Sequence, residues 1–213
     1  MALELHHFFI LTGAGAPQAD LLSDLGLVEG ARNSHPGQGT ANRRFFFSNT
    51  ALELLYLRDA EEAANGPGNR LRIIDRATDC TASPFGLIAN ATSRSTDDTF
   101  PFWLYCPEYF PAGQCFHVGK NSDLLTEPLC ICMPPGFPFP KTQLRAENLD
   151  MTLTELRISV PVARPSPTLQ AFANCDGISL TLNEPHRLEL IFNEERAGLY
   201  KDLAPDLPLA IRW

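Results

Sequence analysis

One arrangement of residue types occurs twice in this chain and limits its fold more than any other feature. A strand-like run carrying a polar, ligand-type residue is followed, after a helical stretch and further strand, by a run in which a glutamate stands between leucines. The first occurrence is His7-Phe8-Phe9-Ile10-Leu11 answered by Ala51-Leu52-Glu53-Leu54-Leu55. The second is Glu155-Leu156-Arg157-Ile158-Ser159-Val160 answered by Arg187-Leu188-Glu189-Leu190-Ile191. A carboxylate in a leucine-rich strand is expensive to bury without a partner, so two in matching places ask for one explanation. Side chains alternate across a strand; Leu5, His7 and Phe9 then share one face, and Leu52 and Leu54 point away from the face of Glu53. Convergence of His7, Glu53, Glu155 and Glu189 on one divalent cation accounts for both copies. One imidazole nitrogen and three carboxylates are a hard ligand set that suits Zn, Ni, Co, Mn or Fe. The structural alternatives are cross-strand ion pairs of Glu53 and Glu189 with Arg43, Arg44 or Arg187, and a one-residue register shift that turns His6 inward.

Around the repeated pattern the chain reads as two βαβββ units. Leu3 to Leu11 is a strand closed by Thr12-Gly13-Ala14-Gly15-Ala16-Pro17, and Leu21, Leu22 and Leu25 then recur at helical spacing up to Gly26. Arg43 to Ser48 and Ala51 to Leu57 follow as strands across Asn49-Thr50. The same order returns with Thr152 to Val160 as strand, a helix through Leu169 and Phe172, and strands at Gly177 to Leu182 and Arg187 to Phe192. The expected organisation is a first module at 1–57, an insertion at 58–150 and a second module with a tail at 151–213. The insertion holds a strand candidate at Phe85 to Ala91 and then aromatic, proline-studded sequence such as Phe100-Pro101-Phe102-Trp103-Leu104-Tyr105 and Pro134-Pro135-Gly136-Phe137-Pro138-Phe139-Pro140, too apolar for a disordered linker. It reads as an irregular, β-rich cover over one face of the sheets, with Tyr105 and His117 bordering a cavity.

Composition narrows the partners. A net charge of -8 with three lysines in 213 residues argues against nucleic acid or an anionic membrane. No run approaches the roughly 20 apolar residues of a membrane span, and the N-terminal residues lack the basic start of a secretory signal, so a cytoplasmic protein is expected. In that setting the six cysteines are expected as reduced thiols. A second polar stretch, His35-Pro36-Gly37-Gln38-Gly39-Thr40-Ala41-Asn42-Arg43, combines glycines that admit close backbone approach with donors on His35, Gln38, Asn42 and Arg43 suited to the polar end of a substrate. Its structural alternative is a tight loop that satisfies its own backbone.

These residues together resemble the vicinal oxygen chelate superfamily, in particular its glyoxalase-like branch, over Leu3 to Leu57 and over Thr152 to Phe192. The resemblance implies an α+β fold in which two βαβββ modules form a cup-shaped mixed sheet around a metal or ligand. It places the metal ligands on the first and last strands of each module, here His7, Glu53, Glu155 and Glu189; Glu155 stands where that superfamily usually has histidine. The activity it implies is that of a divalent-metal-dependent lyase or isomerase acting on a small oxygenated molecule through an enolate, with Glu189 or Glu155 as the base. The alternatives are a metal-free protein that sequesters a small apolar or aromatic compound in the same cup, and an extradiol-type dioxygenase. With two modules in one chain the cup closes within the monomer; a homodimer is the other arrangement.

Overall fold

A computed structural model describes residues 3–91, 100–134 and 148–213, and within them the chain builds two sheets. The larger has eight strands in the order β2-β3-β4-β1-β5-β8-β7-β6. They are β1 (Leu3–Leu11), β2 (Asn33–His35), β3 (Thr40–Phe46), β4 (Ala51–Leu57), β5 (Phe85–Ala91), β6 (Phe102–Tyr105), β7 (Phe116–Gly119) and β8 (Leu129–Cys132). Helix α1 (Ala19–Asp24) follows β1, and α2 (Ala60–Asn65) and α3 (Ile73–Thr78) link β4 to β5. Two four-strand halves are visible in this order. β1 runs parallel to β4 and β5 parallel to β8, while β1 and β5 meet antiparallel at the centre. The sheet curls into an open half-barrel, the cup expected of the α+β class.

The cup's second half comes from a different part of the chain than the repeated pattern indicated. Its strands lie between Phe85 and Cys132, inside the stretch read as an insertion, and not at 151–213. The C-terminal residues instead form a separate five-stranded sheet, β10-β9-β11-β13-β12. Its elements are β9 (Leu153–Val160), α4 (Pro167–Ala173), β10 (Ile178–Leu182), β11 (Arg187–Phe192), β12 (Tyr200–Asp202) and β13 (Leu209–Arg212). The element order of the first unit does recur here, but the pairing differs: β9 lies parallel to β10 and antiparallel to β11, whereas β1 lies parallel to the last strand of its unit. Of the proline-rich run 134–140, only Pro134 lies within the described residues.

One apolar core joins the sheets. From the outer face of the cup come Phe8, Ile10, Phe45, Phe47, Leu52 and Leu54, and from the second sheet Leu156, Ile158, Leu188, Leu190 and Phe192, all buried in a single cluster. The rings of Phe47 and Phe192 meet at 4.6 Å across it. Burial of aliphatic and aromatic side chains at about 1.5–3 kcal/mol each makes this layer the main favourable term of the fold. Helix α4 is fixed at its start by Ser166, whose hydroxyl accepts from the Leu169 N–H at 3.1 Å. Buried Glu127, ahead of β8, accepts from the Ser166 amide at 2.7 Å and its hydroxyl at 2.6 Å, tying the second sheet's helix to the cup.

At the centre of the cup, Gly86 of β5 stands opposite Phe9 of β1. A Cβ at Gly86 would meet the Phe9 ring at 1.9 Å, so the ring occupies the space a side chain would need. Gly86→Ala is expected to destabilise the protein by about 1–3 kcal/mol through this overpacking. Chemical denaturation measures it, and a change within about 0.5 kcal/mol would place Phe9 elsewhere.

Candidate functional site

The concave face of the cup carries two joined hollows. The outer holds about 390 Å³ and the inner about 60 Å³, and His7, His35, Glu53, Tyr109 and Phe116 line both. The larger is within the size range of small-molecule sites.

A bulge in β1 decides which residues reach it. The ladder between β1 and β5 slips between Leu5 and His7. Leu3 and Leu5 therefore pack with Phe8 and Ile10 on the outer core, while Phe9 belongs to the inner apolar cluster and lines the cup with His7. Leu5 thus does not share the face of His7 and Phe9, because the extra residue reverses the alternation. His6 also lines the outer hollow. Its Nδ1 lies 2.6 Å from Nδ1 of His7, with the rings edge-on, so one nitrogen donates and the other accepts. Burial, with the neighbouring imidazole second, lowers the His6 pKa to about 3. Burial, followed by His35 and Arg44, lowers that of His7 to about 3. Both rings are neutral at physiological pH.

Glu53 stands half-buried on β4, opposite Phe9 on one side and Arg44 on the other. Arg44 donates from Nε to the Ala31 carbonyl at 2.6 Å and stacks over Phe46 at 5.0 Å. His35 enters from β2; its Nδ1 is 2.9 Å from the Thr40 hydroxyl and its ring 5.7 Å from that of Tyr109. Burial lowers the His35 pKa; Glu53 opposes that shift and Arg44 adds to it. Gln38 donates to Thr40 at 2.9 Å and accepts from the Tyr109 hydroxyl at 3.2 Å, closing the network at the inner hollow. Tyr105 lines that hollow too, and burial raises its hydroxyl to about 12 and that of Tyr109 still further, so both remain donors. Tyr109 sits between β6 and β7 in a loop joined at its base by a Cys106–Cys115 disulfide, where thiols were expected.

The other half of the cup adds apolar side chains beside the Tyr105 and Tyr109 hydroxyls. Ile88 of β5, Ile131 of β8, Met133 and Phe116 face the hollows where the first half presents His7 and Glu53. Several residues expected in the site lie elsewhere. Glu155 and Glu189 are on the outer face of the second sheet, in a ladder of ion pairs. Arg157 bonds Glu155 at 2.8 Å and Glu189 at 3.2 Å, Arg212 bonds Glu189 at 2.6 Å, and Ser179 donates to Glu155 at 2.6 Å. Flanking leucines 188 and 190 turn into the shared core, so alternation sends Glu189 outward, away from Glu53. Arg43 likewise points away from the cup and pairs with Glu29 and Asp20. Asn42, fully buried, accepts from the Asn33 amide at 3.0 Å and holds β2 on β3. Gly37 and Gly39 have positive φ, and a Cβ on Gly39 would meet the Asp59 carbonyl at 2.3 Å; the loop is tight because it packs on α2. His117 stacks on Phe102 at 4.2 Å and Tyr105 borders the cavity, so of that expected pair only Tyr105 lines the hollows described above.

The four expected metal ligands are thus divided between two sheets. Among the described residues no group of three or more His, Cys, Asp or Glu side chains is arranged to hold a metal ion. No helix among the described residues is long and apolar enough to cross a membrane.

No protein-family model matches the sequence, and no curated protein is similar to it. The fold, however, is shared with solved structures. A hypothetical protein from Staphylococcus aureus superimposes with a TM-score of 0.61 at 10% identity, over 99% of this chain and 98% of that one. A variant of 4-hydroxymandelate synthase from Streptomyces coelicolor gives 0.52 at 11% identity, over 90% of this chain and 71% of the other. Methylmalonyl-CoA epimerase from Mycobacterium tuberculosis gives 0.43 at 14% identity, over 65% and 90%. At 10 and 11% identity the likeness to the Staphylococcus aureus protein and the 4-hydroxymandelate synthase variant is one of fold alone.

Two outcomes follow for mutation and pH. Glu155→Gln and Glu189→Gln are expected to cost about 1 kcal/mol each, as solvent-screened, half-buried ion pairs on a sheet face do, and to leave ligand affinity of the cup unchanged in calorimetric titration; a tenfold loss would place them in the site. For His6 and His7 the folded-state pKa lies below the unfolded value of 6.5, so the unfolded chain binds more protons between pH 6.5 and 3. Stability is then complete above pH 6.5 and falls as the pH drops, by up to about 1.4 kcal/mol per pH unit per histidine. Denaturation across that window should show a shallower slope in His7→Asn, and equal slopes would contradict buried neutral imidazoles.

Proposed function

We propose that the cup binds a small aromatic or amphipathic oxygenated molecule without a metal ion. The observation that carries this reading is the division of its lining. One half offers the hydrogen-bonding groups of His7, His35, Glu53 and Gln38, and the other a wall of Ile88, Ile131, Met133 and Phe116. A molecule with an apolar ring and a polar edge meets both at once. The neutral imidazoles and the Tyr109 and Tyr105 hydroxyls orient oxygen functions, and the apolar wall removes ring surface from water at about 25 cal/mol per Å². Both halves belong to one chain, so the site needs no second copy.

A second reading assigns the cup a proton transfer. Among the described residues Glu53 is the one carboxylate that lines either hollow. It, rather than Glu155 or Glu189, is the base for removing a carbon-bound proton, and Arg44 and the tyrosine hydroxyls face the charge that develops. This replaces the metal-assisted enolate route, whose ligands the fold separates.

Thermal-shift and calorimetric titration with phenols and aryl carboxylic acids, with and without a chelator, test the binding reading. Saturable stabilisation unaffected by chelator is expected, about 2.7 kcal/mol at a hundredfold excess over Kd, with Phe116→Ala weakening it at least tenfold. Binding that appears only on addition of a divalent ion would overturn it.

A further inference from the structure

The two hollows of the cup differ in chemistry as well as in size. His7, His35, Glu53, Tyr109 and Phe116 line both, four of them polar, and they form the waist at which the hollows join. Beyond the waist the inner hollow is bounded by Phe9, Leu55, Leu71, Ile88 and Ile131, all buried. Gln38 and Tyr105 are its other walls, and the Gln38 amide is already engaged by Thr40 and Tyr109. The outer hollow offers ring and thioether surface from Phe46, Phe110 and Met133, alongside His6, Asn33 and Arg44. A molecule reaching inward from it passes a belt of hydrogen-bonding groups and then meets an apolar end.

The inner hollow is small and stiff. Its volume of about 60 Å³ equals about two waters at ~30 Å³ each, room for a chain of about two carbons. Phe9 cannot retreat from it, because its ring already fills the space beside Gly86. Leu71, from the turn between α2 and α3, is packed in one buried cluster with Phe9, Ile88 and Ile131. The outer hollow, at about 390 Å³, is more than twice the roughly 150 Å³ that accommodates benzene. An aromatic ring therefore fits outside the waist and only a short chain inside it. At the waist burial keeps the imidazoles of His7 and His35 neutral and the Tyr109 hydroxyl protonated, so an oxygen atom there finds N–H and O–H donors. Glu53 beside them disfavours a second carboxylate and favours an uncharged oxygen function.

We propose that the ligand of the cup is a molecule in which one carbon bearing an uncharged oxygen joins an aromatic ring to a short alkyl arm, an aryl ketone or the corresponding alcohol. The ring lies in the outer hollow, the oxygen at the waist, and an arm of one or two carbons in the inner hollow. This rests on the binding reading above and adds the arm and the position of the oxygen. Each arm carbon taken out of water strengthens binding about fourfold. Once the hollow is full, a further carbon has to displace packed side chains and the gain reverses. Selection for arm length thus lies with Leu71, Ile88 and Ile131, which line the inner hollow and not the outer.

Isothermal titration of the full chain with acetophenone, propiophenone, butyrophenone and valerophenone tests this. The tightest binding is expected with acetophenone or propiophenone, and valerophenone should bind at least tenfold more weakly than the tighter of the two. The methyl resonances of Ile131 should shift with propiophenone along the same isotherm. Ile131→Ala, which enlarges the inner hollow alone, should move the optimum to butyrophenone or valerophenone. Phe110→Ala in the outer hollow should weaken all four ketones without moving the optimum. If Ile131→Ala fails to fold, the series in the unaltered protein still decides. Affinity that stays level or keeps rising through valerophenone would overturn the proposal, since the arm would then lie outside the inner hollow. If phenols or aryl acids bind while arm length has no effect, this inference alone falls; if no aryl compound binds, the binding reading falls with it.

Discussion

The apolar layer between the cup and the second sheet is the constraint on which the rest of this protein depends. Leu52 and Leu54 on one side and Leu188 and Leu190 on the other lie in one buried cluster. Because strand side chains alternate, each Leu-Glu-Leu run must then send its glutamate the opposite way. Glu53 turns into the concave face of the cup, and Glu189 turns onto the outer face of the second sheet, where Arg157 and Arg212 hold it. The repeated pattern is the signature of two layers sharing one core, not of two halves sharing one site.

That layer also explains why the cup is chemically lopsided. Its outer surface is fixed by packing in both halves, so variation is confined to the concave side. There the first half supplies His7, His35 and Glu53, and the second supplies branched aliphatics, Phe116 and the two tyrosines. The bulge in β1 adds to the difference by placing adjacent histidines at the rim, both kept neutral chiefly by burial. A pocket of this kind matches a ligand with one polar edge. Beyond it, the tight loop at Gly37 to Gly39, the disulfide-tied turn carrying Tyr109 and the hydrogen bond from Tyr109 to Gln38 close one end of the hollow.

Much of this was legible in the amino-acid sequence. The strands at Ala51 to Leu57, Phe85 to Ala91 and Arg187 to Phe192, the helices after β1 and β9 and the α+β class follow from periodicity and turn residues. The assignment of the second half of the cup did not, because β6, β7 and β8 are strands of only four residues, too short for a periodic signal. Element order is also blind to pairing: the C-terminal unit repeats the order of the first while joining its strands differently. Arg157 was the signal for the structural role of Glu155, since two residues along the same strand it faces the same way and forms the ion pair.

The separation of the two glutamates is the central claim, and a distance measurement tests it directly. Nitroxide labels at Glu53→Cys and Glu189→Cys, in a background with the exposed Cys80 replaced by serine, report their spacing by pulsed electron resonance. Two sheets about 10 Å apart with label arms on opposite faces predict a separation of about 20 Å or more. Strong dipolar broadening from labels within about 10 Å of each other would instead bring both strands to one site and contradict the account.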